Sequence, residues 1–208
     1  MPYHTTLRLL RQRGACADGV RRLQSFLGKN ATEDFPVNLN DYLTISTVKD
    51  VAFALGATLE DSTLASRLIA AEFAYSTLSI FKRGYPYDNR PVEALNCSVL
   101  YCFDLQDTKT LQDKTQACKM AMLGVVHLSP KDPEYAPSAL VAARRHSVCS
   151  ALWASMGCVS YVFWAAVHSN KSVFWEEGCP FSATADERNA AVARNIQEQE
   201  RILRKYLS

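Results

Sequence analysis

From Ser147 to Asn170 the chain reads SVCSALWASMGCVSYVFWAAVHSN, without one Asp, Glu, Lys or Arg. Such a stretch has two homes. One is the hydrocarbon of a bilayer, which about 20 apolar residues span. The other is the centre of a helical domain, where a helix is apolar all round. Serines, Gly157 and His168 interrupt the run, and its flanks carry no strong positive signal beyond Arg144 and Arg145. The segment therefore reads as one long buried helix, from about Ser138 to Val167, and no membrane contact is expected.

The rest of the chain supplies helices to surround it. Residues 3–28 read as one or two short helices broken near Gly14, with Cys16, Val20, Leu23 and Leu27 on one face and Gly28 as the stop. KNATEDFPVNLNDYL reads as an irregular link around Pro36. Thr47 and Asp50 then form a capping box for a helix ending near Gly56. The clearest helix runs through EDSTLASRLIAAEFAYSTLSIFKRG, with Leu64, Leu68, Ala71, Tyr75 and Leu78 at 4-3-4-3 spacing, Ile69, Phe73 and Ile80 widening the stripe, and Lys82, Arg83 and Gly84 closing it. Pro91 opens the next helix, a further one spans about 110–128, and SPKDPEYAP breaks the chain before Ser138. KSVFWEEGCPFSA reads as a loop that exposes aromatic residues. Thr184 and Glu187 form a second capping box, and a last helix runs to about Tyr206. The fold class is all-α: seven or eight helices packed as a bundle or as a short solenoid-like array of helix pairs. A boundary near 57–61 divides a small N-terminal helical module, 1–58, from a helical body, 59–208.

Composition excludes several classes. The chain has 208 residues, 48% hydrophobic and 21% charged, which is ordinary globular composition. Its net charge of +2 lacks the one-sided basic footprint of a nucleic-acid binder, so no nucleic acid is expected as a partner. Seven cysteines at scattered spacing, with no Cys-x-x-Cys pair and no signal peptide ahead of them, read as reduced, mostly buried thiols in a cytoplasmic protein. No phosphate loop, Gly-x-Ser-x-Gly or His-Glu-x-x-His motif occurs. His4, His127, His146 and His168 lie on different stretches, and His146 and His168 stand too far apart along a single helix to share a metal. The expectation is a protein that is not an enzyme, with no catalytic residue, cofactor or metal.

Two surface constellations remain. Asp88, Arg90 and Pro91, in YPYDNRPVEAL, read as a structural corner between two helices: Arg90 reaches back to the end of the preceding helix, and Asp88 stands near the start of the next. Phe174, Trp175, Glu176 and Glu177, in FWEEGCPF, place two acids beside aromatic rings. That combination suits a partner-binding loop facing a basic or aromatic patch.

From about residue 62 to the end, the chain resembles the immunity-protein family of bacterial polymorphic toxin systems, which also occurs in phages. The helix RLIAAEFAYSTLSIF, the corner YPYDNRPVEAL with its Tyr-Pro-x-Asp-x-Arg-Pro-x-x-Ala pattern, the Ala-rich middle helices and the tail ERNAAVARNIQEQERILRKYL carry the likeness. The N-terminal part resembles a small module found before such helical bodies in bacterial and phage proteins. The chain departs from the pattern in a less Ala-rich middle, in extra cysteines and in the aromatic segment Ser160 to Trp175. The resemblance implies a cytosolic, all-helical protein that neutralises a partner protein, a toxin, by occlusion. An inhibitor of a bacterial defence system is the alternative, and a small enzyme or nucleotide binder is the third reading.

Overall fold

The computed structural model describes residues 2–29, 31–127, 138–156, 161–177 and 184–208. The protein is all-α, with ten α-helices among the described residues and one two-residue strand pair. The count exceeds seven or eight for two reasons. Asn38 accepts from the Asn40 amide through its side chain and starts a helix, Leu39–Ile45, inside the stretch read as an irregular link. The expected single helix 138–167 is two helices, Ser138–Ser155 and Tyr161–Glu177. Gly157, read as a close crossing point, lies outside the described residues.

The N-terminal elements are β1 (His4–Thr5), α1 (Leu7–Gln12), α2 (Ala17–Leu27), β2 (Val37–Asn38), α3 (Leu39–Ile45) and α4 (Val48–Ala54), with a single 3-10 turn at Leu55–Ala57. β1 pairs antiparallel with β2, His4 opposite Asn38. The break at Gly14 has φ 76°, a left-handed conformation that glycine adopts without steric cost. The Thr47–Asp50 capping box at α4 forms in both directions, as its spacing predicts.

The body comprises α5 (Thr63–Gly84), α6 (Arg90–Tyr101), α7 (Thr108–His127), α8 (Ser138–Ser155), α9 (Tyr161–Glu177) and α10 (Ala185–Leu207). α8 packs on α5, α6, α7 and α9, and α9 also lies against α4 and α10. The predicted stripe of α5 is rotated. Ile69, Ala71, Phe73, Leu78 and Ile80 of the expected stripe are buried, whereas its Leu64 and Tyr75 are exposed, because α5 turns its small residues Ala65, Ala70 and Ala74 inward too. One apolar core runs from Leu7 and Val51 through Phe73, Leu95 and Val148 to Leu203 and Leu207. The N-terminal helices thus share their core with the body.

The uncharged stretch has a physical reason. Ser150 Oγ donates to the Ala165 carbonyl at 2.9 Å, Ser172 Oγ to Ala143 at 2.9 Å and Ser147 Oγ to Thr77 at 2.8 Å. The first two bonds clamp α8 and α9 antiparallel, and the third ties α8 to α5. Small residues let these backbones approach closely, and each of these three buried hydroxyls has an acceptor. At the α9–α10 contact, Asn195 donates to Asn170 at 2.7 Å, Asn170 to Gln199 at 3.1 Å and Gln199 to the Ala166 carbonyl at 3.2 Å. Among the described residues no helix is long and apolar enough to cross a membrane.

Candidate functional site

One end of the body gathers exposed apolar side chains. It comprises the start of α5, the end of α6 and the turn after it, the start of α7, and the end of α8. The turn is shaped by Asp104, whose φ of 57° is left-handed, and by the Leu105 amide, which donates back to the Leu100 carbonyl at 3.0 Å. This closure leaves Phe103 54% and Leu105 66% exposed. Leu64 and Met156 are 47% and 45% exposed nearby, on α5 and beyond the last residue of α8. Single exposed apolar residues are ordinary on a protein surface; several at one end mark an interaction site.

Within this end lies a cavity of about 650 Å³ walled by Arg67, Tyr101, Gln112, Thr115, Gln116 and Met156, among others. Arg67 is one turn after Leu64 on the same face of α5. Its guanidinium carbon sits 4.8 Å from the centre of the Tyr101 ring, a cation–π arrangement. Its Nη1 is buried and has no hydrogen-bond partner among the described residues. The start of α7 is already occupied, since Asp107 accepts from the Thr110 amide at 2.8 Å.

A second, smaller cavity of about 290 Å³ lies between the N-terminal helices and α9, walled by Leu10, Phe53, Phe163 and Trp164 and rimmed by Cys16 and Asp50. The Cys16 thiol caps α2, accepting from the Gly19 amide at 3.3 Å, and faces Asp50 Oδ1 at 3.7 Å. A methyl group on Gly19 would stand 3.0 Å from Asp50 Oδ1 and 3.3 Å from the Tyr42 hydroxyl, so alanine there would push these side chains back by a few tenths of an ångström. Burial raises the Asp50 pKa. The hydrogen bonds from Thr47, Ser46 and Arg22 outweigh it and hold the carboxyl below its ordinary range. Burial pushes the Tyr42 phenol up.

The corner is built differently from its expected contacts. Arg90 does not reach back to α5: its Nε and Nη2 donate to the two carboxylate oxygens of Asp88, at 2.9 and 2.7 Å. Lys82 makes the backward connection instead, donating to the Pro86 carbonyl at 2.6 Å and to Asn89 Oδ1 at 2.7 Å. Asp88 also accepts from the Arg90 amide at 3.1 Å, which places it at the start of α6 as expected, and Pro91 is buried in the first turn.

Phe174 to Glu177 do not form a loop; they are the last turn of α9, because the helical run from Tyr161 continues unbroken through them. Phe174 is half-buried, with the Arg188 guanidinium 5.7 Å from its ring centre. The side chains of Trp175, Glu176 and Glu177 lie outside the described residues.

His146 and His168, separated by 22 positions, have their Nδ1 atoms 3.0 Å apart. The expectation that they stand apart fails because α8 and α9 are two antiparallel helices rather than one. Burial, with Lys171 and Arg145 adding repulsion, lowers both imidazoles to about 4, so one neutral ring donates and the other accepts. Among the described residues no group of three His, Cys, Asp or Glu side chains is placed to hold a metal ion.

The Arg67 cavity and its apolar rim are the features that reading the sequence missed. The cavity is walled by four segments far apart along the chain, and no signal within any one of them marks it. No protein family, curated protein or solved structure matches this chain.

Proposed function

We propose that this chain is a protein-binding protein that neutralises a partner by occlusion. Its apolar end around Arg67 is the docking surface. The observation that carries the reading is that Leu64, Phe103, Leu105 and Met156, 45–66% exposed, belong to the same end segments whose Arg67, Tyr101 and Met156 wall a cavity. Large apolar side chains around a central arginine are the composition of an interface centre. The likeness of residues 62–208 to toxin immunity proteins supports the same role, with a toxin as the partner. Occlusion needs no catalytic group, only a rigid face, and α5 to α8 meet at this end through a shared core.

The test is co-purification from a cell that makes both the protein and its partner, with the wild type beside Phe103→Asp/Leu105→Asp. Both side chains project from a surface turn, so the variant is expected to keep its melting temperature. A protein retained by the wild type and lost from the variant supports the docking surface; equal retention contradicts it.

A second reading has its own observation. The apolar cavity rimmed by the Cys16 thiol and the Asp50 carboxylate fits a small, largely apolar ligand. Phe163→Trp would fill it. Thermal stabilisation by small aromatic compounds, lost in that variant, would favour this reading.

A further inference from the structure

We infer that the cavity between the N-terminal helices and α9 takes a free, uncharged, two-ring aromatic molecule with one ring N–H, an indole-type ligand whose N–H faces Asp50. The inference rests on the small-ligand reading of this cavity above and names the chemistry of the ligand.

The walls set the shape. An apolar cavity of roughly 150 Å³ holds benzene, so one of about 290 Å³ has room for two fused rings. Phe53, Phe163 and Trp164 wall it, with Leu10 and Ala15 completing the apolar lining. Phe163 stands edge-on to both other rings, 6.5 Å from Phe53 and 5.2 Å from Trp164 between ring centres, at interplanar angles of 87° and 81°. Rings held against one another in this way offer faces and edges to a planar guest, the contacts that aromatic pairs prefer.

Asp50 supplies an acceptor with capacity to spare. Its Oδ2 accepts from Arg22 Nη2 at 2.6 Å, from Ser46 Oγ at 2.9 Å, and from the Thr47 hydroxyl and amide at 2.6 and 3.1 Å. Among the described residues its Oδ1 accepts only from the Cys16 thiol, a weak donor, at 3.7 Å. Asp50, Cys16 and Tyr42 all belong to the cavity wall, and they converge on Gly19, which belongs to it too. A methyl group there would stand 3.0 Å from Oδ1, 3.3 Å from the Tyr42 hydroxyl and 3.4 Å from Cys16 Sγ. Glycine lays no side chain over this polar corner. The Tyr42 hydroxyl donates to the Gly19 carbonyl at 3.2 Å, which leaves Oδ1 as the acceptor that calls for a donor.

Charge selects a neutral ligand. Arg22 already pairs with Asp50, and Lys49 on the cavity wall is exposed and forms no ion pair among the described residues. A cation would meet Lys49 and Arg22 around one carboxylate. An anion would meet the Asp50 carboxylate at the polar corner. A neutral N–H meets neither cost. The border of the cavity favours a free molecule over a side chain of a protein partner. Trp164, 43% exposed, is the one large apolar wall residue that is exposed among those described, and beside it stand Gly14, Cys16 and Lys49. A protein partner would need a wider apolar surround.

The experiment uses the full chain and two probes. Indole carries the ring N–H; benzothiophene has the same fused shape with sulfur in its place and is the more apolar of the two. Iodoacetamide labelling of Cys16, read by peptide mapping, reports occupancy, because this exposed thiol is part of the wall. Indole is expected to slow Cys16 labelling saturably. Half-protection by benzothiophene is expected to need at least about fivefold more compound, since it leaves the acceptor unpaired. Tryptamine and indole-3-acetate, which add an ammonium and a carboxylate, are expected to protect no more tightly than indole. In Phe163→Trp, checked for an unchanged melting temperature, protection by indole is expected to vanish. The inference is overturned by no protection from indole, by a benzothiophene ratio below about fivefold, by either charged analogue binding at least about fivefold tighter, or by protection that persists in Phe163→Trp. The small-ligand reading fails separately, when no aromatic compound stabilises the wild type against heat. Equal protection by indole and benzothiophene leaves that reading standing and removes only the bond to Asp50.

Discussion

His146 and His168 share one hydrogen bond, and that bond requires at least one neutral ring to accept it. Their folded pKa of about 4 lies below the ordinary 6.5. The folded protein therefore binds fewer protons than the unfolded chain between these values, so the pair's contribution is complete above pH 6.5 and is lost as pH falls toward 4. The melting temperature of the wild type is expected to drop over this window more steeply than that of His146→Gln/His168→Gln. Parallel curves would contradict the assignment. The cysteines divide by position. Cys16 is exposed, whereas Cys97, Cys118 and Cys149 are buried, with burial pushing the Cys118 thiol up to about 12. Brief alkylation of the native protein followed by peptide mapping is expected to mark Cys16 first and to leave those three unmarked until denaturant is added. Labelling of Cys118 as fast as Cys16 would refute the buried arrangement. Among the described cysteines Cys97, Cys118 and Cys149 are buried as expected, but Cys16, placed on the apolar face of α2, is its exposed cap. The periodicity that groups it with Val20 and Leu23 cannot distinguish a helix's first turn from its cap.

At the scale of elements, signals written within four residues of each other were legible. The Thr47–Asp50 and Thr184–Glu187 capping boxes, the stop at Gly28 and Pro91 in the first turn of α6 all stand where their spacing puts them. What failed was segmentation. α3 is seven residues long and starts three residues after Pro36, too short for periodicity to register. α8 and α9 are both apolar enough that no polar punctuation separates them in sequence. The YPYDNRP corner was read correctly as a junction of two helices, with the wrong cation assigned to the backward contact. Because Arg90 pairs with Asp88 and is itself exposed, Arg90→Ala is expected to lower stability by roughly 1 kcal/mol, read by chemical denaturation. Lys82→Ala tests the same corner from the other side. If Arg90→Ala abolishes partner binding while the protein stays folded, the corner is a contact surface and its architectural role is insufficient.

At the scale of the molecule, the chain solves one packing problem around its uncharged centre. α8 and α9 hold each other by serine hydroxyls aimed at carbonyls, while α4, α5 and α10 complete the wall. Composition predicted that such a helical centre would exist, but the docking end could not be read in the same way. Arg67, Tyr101, Gln112 and Met156 become neighbours only once four helices are packed, and a pattern confined to one helix carries no record of that meeting. The central claim is that this end covers the partner. Hydrogen–deuterium exchange of the purified complex against the free protein tests it most directly. The predicted result is slowed exchange in segments 100–108 and 112–116 and around 156, with 17–27 and 184–195 unchanged. Slowed exchange confined to the last turns of α9 and the start of α10, with 100–116 unaffected, would contradict the account.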